Sequence, residues 1–293
     1  MRAAAILGLG STSRDLQPFQ LGNTEWTIGL PTSAGGLEAI LVFGGDGTVH
    51  RHLRALVHLE LPVLVVPAGS GNDFARALGL LRVSDSLALW QKFSVHATAA
   101  RRVDLGIITP VGPASGITSD PTYFSCAAGV GLDGEIARRA NALPRWLRAH
   151  GGYALSLPGA LLGLQPFALK LETTTQQPIP SGLCRDNHRF VAAIFANTPV
   201  YGGGMRIAPK AQMDDGLLDV CVIRDISKLK LLSVFPTVYF GRHLGIREVG
   251  YFSISCARVE TERPLDIYAD GEYVCPTPVE IGLAPGALNV IAP

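Results

Sequence analysis

The chain has 293 residues, with 25 basic and 24 acidic side chains and a formal net charge of +1 at neutral pH. This balance argues against a nucleic-acid binder that depends on bulk positive charge. The length favours two domains, and the hydrophobic fraction of 47% is enough to form sizeable cores. The five cysteines lie scattered in apolar runs without CxxC spacing, which predicts reduced core thiols in a cytosolic protein.

The first residues, 1–8, are predicted to form a strand, because their apolar run is too short for a signal peptide. No run approaches the ~18 apolar residues of a membrane span. A glycine–hydroxyl turn over 8–14 follows, and its backbone amides around Ser11 are candidate donors to a nucleotide. The next strand is expected over 24–30.

A second glycine turn follows a run of five apolar residues at 39–43, which predicts a strand buried on both faces. Gly44, Gly45 and Gly47 remove side chains from this turn, so a ligand can approach the backbone N–H groups closely. A helix is predicted from about Thr48, and its N-terminus favours negative charge such as a phosphate chain. Asp46 would repel bare phosphate, and it therefore suggests an associated Mg²⁺.

A similar unit comes next, with an apolar run at 61–66 that ends in Pro67-Ala-Gly-Ser-Gly-Asn-Asp-Phe-Ala-Arg76. The order of strand, glycine turn, helix, strand and glycine turn predicts a βαβ unit with parallel strands. Both turns would then lie at the carboxyl ends of neighbouring strands, where open α/β sheets bind their ligands.

These two turns resemble those of the diacylglycerol kinase catalytic-domain family, especially its bacterial lipid kinases. The first motif, Gly44-Gly-Asp-Gly-Thr48, also resembles one in NAD kinases, whereas the second motif is more specific to lipid kinases. Two later stretches, 201–220 and Asp270-Gly-Glu272, match the same family. The resemblance therefore covers nearly the whole chain.

The resemblance implies ATP and Mg²⁺ as cofactors. Asp46 and Asp73 would organise Mg²⁺ and its water, and a carboxylate of the Asp-Gly-Glu motif would be the general base, with Glu272 favoured over Asp270. A further Mg²⁺ site is implied at Gln212, Asp215 and Leu217, and a plain Asp-Gly turn is the alternative there. The expected nucleotide contacts are Gly44, Gly45, Asp46, Gly47, Thr48, Gly69, Ser70, Asn72, Thr32 and Ser11.

The chain departs from its relatives in two places. The usual Asn-Pro-x-Ser-Gly pattern is missing after the first strand, and His50-Arg51 replaces a common Asn-Glu pair. Two readings of His50-Arg51 remain, a solvent-facing pair or an altered nucleotide contact. Asp104 is likewise expected either to face the cleft or to serve as a hinge carboxylate.

We expect an N-terminal α/β nucleotide-binding domain over 1–105, of the kind found in NAD and diacylglycerol kinases. A C-terminal β-sandwich-like domain is expected over 106–285, and a last strand near 286–293 returns to the first domain. The helical region 135–164 combines Trp, Leu and Arg, so it is either a packed helix or a helix on an anionic membrane. The Leu and Val residues of a helix over 229–240 are expected in the core.

The resemblance implies a kinase that phosphorylates a hydroxyl of diacylglycerol or a related lipid at a membrane surface. Cytoplasmic localisation with peripheral contact at the inner face of the membrane is expected, and a homodimer is left open. Three alternatives remain. The acceptor is soluble, as in NAD kinases; the protein is a catalytically weak lipid-binding regulator; or the acceptor is another lipid, such as a sphingoid base, ceramide or phosphatidylglycerol.

Overall fold

The computed structural model describes residues 1–96, 100–111, 120–144, 147, 152–173, 179 and 188–293. Its helices are α1 (Ser13–Leu16), α2 (Asp46–Leu59), α3 (Asp73–Ala77), α4 (Val83–Val95), α5 (Leu132–Ala142), α6 (Gly152–Leu162) and α7 (Lys228–Val238). Its strands in the first half are β1 (Arg2–Leu7), β2 (Glu25–Ile28), β3 (Ala39–Gly44), β4 (Val63–Pro67), β5 (Ala100–Pro110), β6 (Thr122–Phe124) and β7 (Ala127–Gly131). The later strands are β8 (Phe167–Thr173), β9 (Arg189–Ala196), β10 (Leu218–Arg224), β11 (Val249–Ile254), β12 (Cys256–Thr261), β13 (Asp266–Ala269), β14 (Glu272–Pro276) and β15 (Val279–Ile291).

The N-terminal domain is built on a parallel sheet in the order β2-β1-β3-β4. Every residue of β3 and β4 is buried, as expected for central strands of a sheet covered on both faces. Helix α2 contacts β3 and helix α4 contacts β4. Buried aliphatic and aromatic side chains from these elements form one core that includes Phe43, Phe74 and Trp90.

The C-terminal domain is rich in antiparallel strands. Strands β7, β9, β10, β11, β13 and β14 pair in one sheet, and β8 and β12 link it to β15. A core of alternating inward side chains, among them Phe190 and Phe195, fills the space enclosed by these strands. Helices α5, α6 and α7 contribute to a further apolar cluster beside the sheet. The predicted fold class, an α/β domain and a β-sandwich-like domain, is confirmed.

Strand β15 belongs to both domains. Its first half pairs with β12 from Val279 onward, and near its end Val290 pairs in parallel with Val63 of β4. Along nearly its whole length it also pairs with β5, from Val279↔Pro110 to Ile291↔Ala100. The two domains are therefore joined by two long strands as well as by the chain connection.

Several predicted elements differ in detail from the structure. Helix α2 begins at Asp46, two residues before the predicted Thr48, because Gly45 is the N-cap and its carbonyl accepts from the Thr48 and Val49 amides. In the second domain, β11 and β12 follow each other with only Ser255 between them. Pro158 lies inside α6 and does not end it, since Leu157 and Leu161 beside it are buried and hold the helix by packing.

The cysteine prediction holds only in part. Cys126 and Cys221 are buried, whereas Cys256 and Cys275 are half-buried on strands β12 and β14. Cys184 lies outside the described residues. A strand with one solvated face keeps one side chain in two near solvent, which the apolar runs around these cysteines did not indicate.

Asp104 of β5 is a junction residue and does not line a cleft. Its carboxylate accepts hydrogen bonds from the amides of Gly216, at 2.9 Å, and Gly286, at 2.7 Å, and its own amide donates to the Met213 carbonyl. The side chain is buried, so the carboxylate and the two amides satisfy one another. Of the two predicted readings, the hinge carboxylate is the one that the structure contains.

We expect Asp104→Ala to lower the free energy of unfolding by about 2–4 kcal/mol, because two amides lose a charged acceptor. Urea denaturation measures this change. The matched control is Asp214→Ala, which removes an exposed ion pair with Arg101 at 3.3 Å and should cost less than about 1 kcal/mol. Equal losses in the two variants would contradict the junction role of Asp104.

Candidate active site

The two glycine turns touch each other at the ends of β3 and β4. Gly44 of β3 pairs with Pro67 of β4, so the turns that follow them lie side by side. A Cβ atom on Gly69 would lie 2.4 Å from the Cα atom of Gly45, and one on Gly45 would lie 2.9 Å from the Gly69 Cα atom. Because only glycine permits this approach, the two motifs form one continuous backbone surface.

Asn72 shapes the second turn from within. It adopts a left-handed conformation, with φ of 54°, as the N-cap residue of α3. Its Oδ1 atom accepts from the Gly69 amide at 2.9 Å, and its Nδ2 atom donates to the Gly69 carbonyl at 2.7 Å. The amide side chain is thus engaged inside the loop, so Asn72 sets the shape of the turn that would meet a nucleotide.

Asp46 and Asp73 lie close together on the two sides of Gly71. A Cβ atom on Gly71 would lie 2.6 Å from Asp46 Oδ2 and 3.8 Å from Asp73 Oδ2. Asp46 Oδ1 accepts from the Phe74 amide at 3.0 Å, which ties the first turn to α3. Burial and the charge of Asp73 raise the pKa of Asp46 to about 6. Keeping both carboxylates ionised therefore costs folding free energy, and such a pair is typical of a cation site.

Asp73 has further partners of its own. It accepts from the Gly203 amide at 2.7 Å and forms an ion pair with Arg76. Burial raises the pKa of Asp73, and the Gly203 amide and the Arg76 guanidinium oppose that rise. The Gly203 contact also brings the glycine-rich 201–205 turn of the second domain to the edge of the site.

Asp270 is buried and fully engaged. Its carboxylate accepts from the amides of Ser125, Cys126 and Ala127 at 2.7, 2.8 and 3.3 Å, from the Ser125 hydroxyl at 3.0 Å, and pairs with His50 Nδ1 at 3.1 Å. Burial would raise the pKa of Asp270, but the His50 bond and the amides hold it below its ordinary value. A carboxylate in this state is anchored and ionised.

His50 is consequently neither a solvent-facing residue nor a residue aimed at the predicted nucleotide turns. Its side chain is 11% exposed and reaches from α2 of the first domain to Asp270 of the second. Burial opposes protonation of His50, yet the Asp270 carboxylate prevails and raises its pKa. Neither of the two readings offered by the sequence anticipated this contact between domains.

Glu272 differs from Asp270 in its surroundings. It is exposed at the start of β14, and a Cβ atom on Gly47 would lie 3.3 Å from its Oε1 atom. Asp270 has φ of 49° and Gly271 has φ of 85°, a pair of left-handed residues that forms the tight turn before Glu272. The turn therefore carries Glu272 to the first turn of α2, and its carboxylate faces the cleft.

One cleft of about 690 Å³ gathers most of these groups. From the first domain it is lined by Gly45, Asp46, Gly47, Thr48, Arg51, Gly69, Ser70 and Asp73, and from the second by Asp133, Tyr153, Tyr201, Asp270 and Glu272. Asp46 and Glu272 thus share one crevice. Arg51, for which the sequence left two readings, also lines the cleft beside the glycine turns.

Four predicted nucleotide contacts do not line this cleft. Gly44 is buried at the end of β3, and Asn72 is engaged within its own loop. Ser11 donates through its hydroxyl to the Phe43 carbonyl at 3.3 Å, and Thr32 is exposed in the loop after β2. Leu9 lines the cleft from the N-terminal turn instead.

The Gln212–Leu217 turn is separate from the cleft. Gln212 and Asp215 are exposed, and Asp215 Oδ1 accepts from the Leu217 amide at 3.0 Å. Across the described ranges, no group of three His, Cys, Asp or Glu side chains converges as a metal cluster would. A cation at this turn would depend on main-chain carbonyls together with Asp215, and this site stays a prediction.

A buried polar cluster lies deeper in the cleft, and two of its members had no sequence signal. Tyr201 donates to Asp133 Oδ1 at 2.6 Å, and Tyr153 donates to the same atom. Burial raises the pKa of Asp133, and the two hydroxyls oppose that rise. Asp133 follows the glycine turn at the start of α5, and the two tyrosines come from distant segments, so no spacing in the sequence places the three together.

An apolar cavity of about 50 Å³ borders this same cluster. Asp133, Tyr153 and Tyr201 line both the cleft and the cavity. Apart from His243, the remaining lining is apolar, and much of it comes from α5, β9 and α7, with Leu132, Ile136, Ala192, Ile194, Leu231, Val234, Phe235 and Val238. The cleft and the apolar cavity thus share one border.

Comparisons with known proteins agree with this geometry. The model for the diacylglycerol kinase catalytic domain matches residues 27–108, and the YegS C-terminal NAD kinase beta sandwich-like domain matches residues 126–292. A diacylglycerol kinase of Mycobacterium tuberculosis is 34% identical over 260 residues, covering 89% of this chain and 78% of that protein. A probable YegS-like lipid kinase of Chromohalobacter salexigens is 31% identical over 275 residues, covering 89% of this chain and 78% of that protein.

Solved structures share the fold. A putative diacylglycerol kinase from Bacillus anthracis superposes with a TM-score of 0.72 at 21% identity, over 100% of this chain and 97% of the other. An NAD kinase from Archaeoglobus fulgidus in complex with ATP gives a TM-score of 0.53 at 15% identity, over 99% and 93%. Fold and site define a phosphotransferase of the kinase class, and the chain belongs to the diacylglycerol kinase catalytic-domain family. The predicted family is confirmed.

We expect Asp46→Asn to raise the free energy of unfolding at neutral pH by about 1–3 kcal/mol, because it removes a carboxylate whose ionisation is penalised in the fold. The folded pKa of about 6 lies above the ordinary 3.8, so the penalty is complete above pH 6 and disappears as the pH falls towards 3.8. Urea denaturation against pH, with a chelator present, measures the gain. Asp214→Asn is the exposed control. An equal gain in that control, or a gain in Asp46→Asn that does not change with pH, would contradict this prediction.

Proposed function

We propose that the protein transfers the γ-phosphate of ATP, assisted by Mg²⁺, to a hydroxyl group of diacylglycerol or a related lipid. One observation carries the proposal most directly. The paired glycine turns with Asp46 and Asp73 face Glu272 across a single cleft, and that cleft shares Asp133, Tyr153 and Tyr201 with an apolar cavity beside it. The names of the relatives at 34% and 31% identity support a lipid acceptor.

The residues of the turns fit a nucleotide with a divalent cation. Backbone amides at the N-terminus of α2 and around Ser70 and Gly71 are suited to phosphate oxygens, because the glycines leave the backbone open. The Gly69 amide is taken by Asn72 Oδ1. Asp46 and Asp73 supply the oxygen donors that Mg²⁺ prefers. Burial raises the pKa of both carboxyls, and a bound cation would favour their ionised forms. When bound, Mg²⁺ would offset the phosphate charge that develops during transfer.

Glu272 is the proposed general base. Its exposed carboxylate can approach an acceptor hydroxyl and take its proton as the oxygen attacks the phosphorus atom. Asp270 was the second choice from the sequence, but its oxygens are occupied by Ser125, Cys126, Ala127 and His50. We assign Asp270 the part of anchoring the turn that presents Glu272.

The apolar cavity is the proposed place for part of an acyl chain. A lipid with its hydroxyl at Glu272 would pass its glycerol region beside the Asp133–Tyr153–Tyr201 cluster and its first methylenes into the cavity. Burial of methylenes favours such a chain by about 0.8 kcal/mol each. A soluble acceptor such as NAD would gain nothing from this space, so the NAD-kinase alternative is not favoured.

The first test is a transfer assay with labelled ATP over a total lipid extract, with products identified by mass. We expect one phosphorylated lipid class from the wild type, and Glu272→Gln should lower kcat by about 10²–10⁴-fold because the proton acceptor is lost. ATP affinity should stay unchanged in that variant, since Glu272 is not a proposed nucleotide ligand.

Glu280→Gln is the matched control, because Glu280 is exposed and does not line the cleft. Phosphorylation of NAD in place of any lipid would overturn the lipid acceptor. Binding of ATP without transfer to any acceptor would support the catalytically weak lipid-binding protein instead.

A second test fills the apolar cavity. Val234 is half-buried on α7 and lines the cavity, so the larger side chain of Val234→Phe should fill the cavity and leave the core strands unchanged. We expect kcat/KM for a long-chain diacylglycerol to fall about tenfold or more, as for a pocket that loses room for methylenes. A short-chain acceptor assayed with the same variant is the control. Equal losses for both acceptors would contradict an acyl chain at this place.

A further inference from the structure

Two neighbouring helices of the C-terminal domain expose apolar side chains on their outer faces. On α6, Leu155 and Leu162 are seven residues apart and are 54% and 83% exposed. On and just after α7, Leu229, Leu232 and Phe240 are 83%, 47% and 72% exposed. Residues spaced by three, four or seven share a helix face, so Leu155 and Leu162 lie on one face of α6, and Leu229 and Leu232 on one face of α7. Phe240 follows the end of α7 by two residues. We call these five side chains the outer leucine surface.

The two stripes belong to one surface because the helices are linked. Lys228, at the first position of α7, donates from Nζ to the carbonyl oxygen of Leu162, the last residue of α6, at 3.1 Å. Leu162 and Leu229 therefore lie near the same point, where α6 ends and α7 begins. Helical leucines are usually buried, and the sequence predicted those of 229–240 for the core; Leu229 and Leu232 are instead exposed.

The inner face of α7 lines the apolar cavity. Leu231, Val234, Phe235 and Val238 of α7 face it, and Tyr153 of α6 lines both the cavity and the cleft. Helix α7 thus carries apolar side chains towards the cavity and also on its exposed face. This arrangement is unusual for a helix that meets only water.

The charge around the outer leucine surface is basic. Between residues 224 and 248 the chain has five basic side chains and two acidic ones. Lys228, Lys230, Arg242 and Arg247 are exposed, and Lys230 pairs with Glu248 at 2.7 Å. Apolar side chains flanked by cations complement an anionic lipid surface, which accepts leucines among its acyl chains and cations among its headgroups.

We propose that the outer leucine surface docks on an anionic lipid bilayer, with α6 and α7 lying at the interface. The proposal rests on the proposed function for its purpose, since it places the helices over the cavity against the membrane. An acyl chain would then move between the bilayer and the cavity past apolar side chains, with little exposure to water. Along the described part of the chain, no helix is long and apolar enough to cross a bilayer, so the contact would be peripheral.

Vesicle sedimentation without ATP tests the surface. The probes are phosphatidylcholine vesicles with and without phosphatidylglycerol, and the variant is L229Q/L232Q/F240Q, none of whose residues lines the cavity. We expect the wild type to favour the anionic vesicles, and the variant to bind them about tenfold or more weakly. The variant should keep wild-type activity on a short-chain diacylglycerol dispersed in detergent.

The matched control is L81Q/V83Q/V95Q, which removes three exposed apolar side chains from the first domain, at 67%, 43% and 72% exposure. Its vesicle binding should equal that of the wild type. Equal binding by both triple variants, or no wild-type binding to anionic vesicles, would overturn the proposal. So would loss of self-association in the L229Q/L232Q/F240Q variant by sedimentation velocity, because a second copy would then be the occupant.

The vesicle experiment and the kinase assay fail separately. Vesicle binding requires no catalysis. If the wild type shows no kinase activity but binds anionic vesicles, and L229Q/L232Q/F240Q binds them more weakly, the docking surface stands and the proposed reaction is rejected. An active lipid kinase whose vesicle binding is unaffected by the substitutions would retain the reaction and reject the surface.

Discussion

The close approach of Gly45 and Gly69 is the constraint on which the site depends. Two neighbouring strands end side by side, and the absence of Cβ atoms lets their following turns touch. That contact brings Asp46 and Asp73 to the two sides of Gly71, where burial keeps the pKa of both carboxylates raised. The surrounding core fixes the strands, α2 and α3 in place, and its packing offsets the unfavourable free energy of holding the two charges together.

The second half of the site depends on a different interaction, the buried carboxylate of Asp270. It accepts from three consecutive amides at residues 125–127, where the chain passes from β6 into β7, and it pairs with the His50 ring from α2. One side chain thus fixes the turn before Glu272 relative to both domains. The α2 helix of the first domain and the Asp-Gly-Glu turn near the end of the chain therefore meet through the Asp270 carboxylate. Within the Asp-Gly-Glu motif, Asp270 is buried and anchors the turn, whereas Glu272 is exposed.

How much the sequence predicted depended on how local each feature was. The glycine turns and the parallel strands before them follow from contiguous residues, and their positions were predicted correctly; the metal-binding role of Asp46 and Asp73 stays a prediction. The His50–Asp270 pair joins residues 220 positions apart, and the Asp133–Tyr153–Tyr201 cluster joins three separate segments, so no spacing signalled either. Asn72 was expected to contact the nucleotide because it lies in the motif that carries the family resemblance, but its αL conformation turns the amide back into its own loop.

Strands β5 and β15 run together across the junction between the domains, paired from Val279↔Pro110 to Ile291↔Ala100. Rotating one domain as a rigid body against the other would break this ladder, so hinge closure of the whole molecule is expensive. The crevice is accordingly pre-formed, because the ladder holds the two halves in one orientation. Its width is set by backbone pairing across the junction, so reactants of different size meet a template of fixed dimensions.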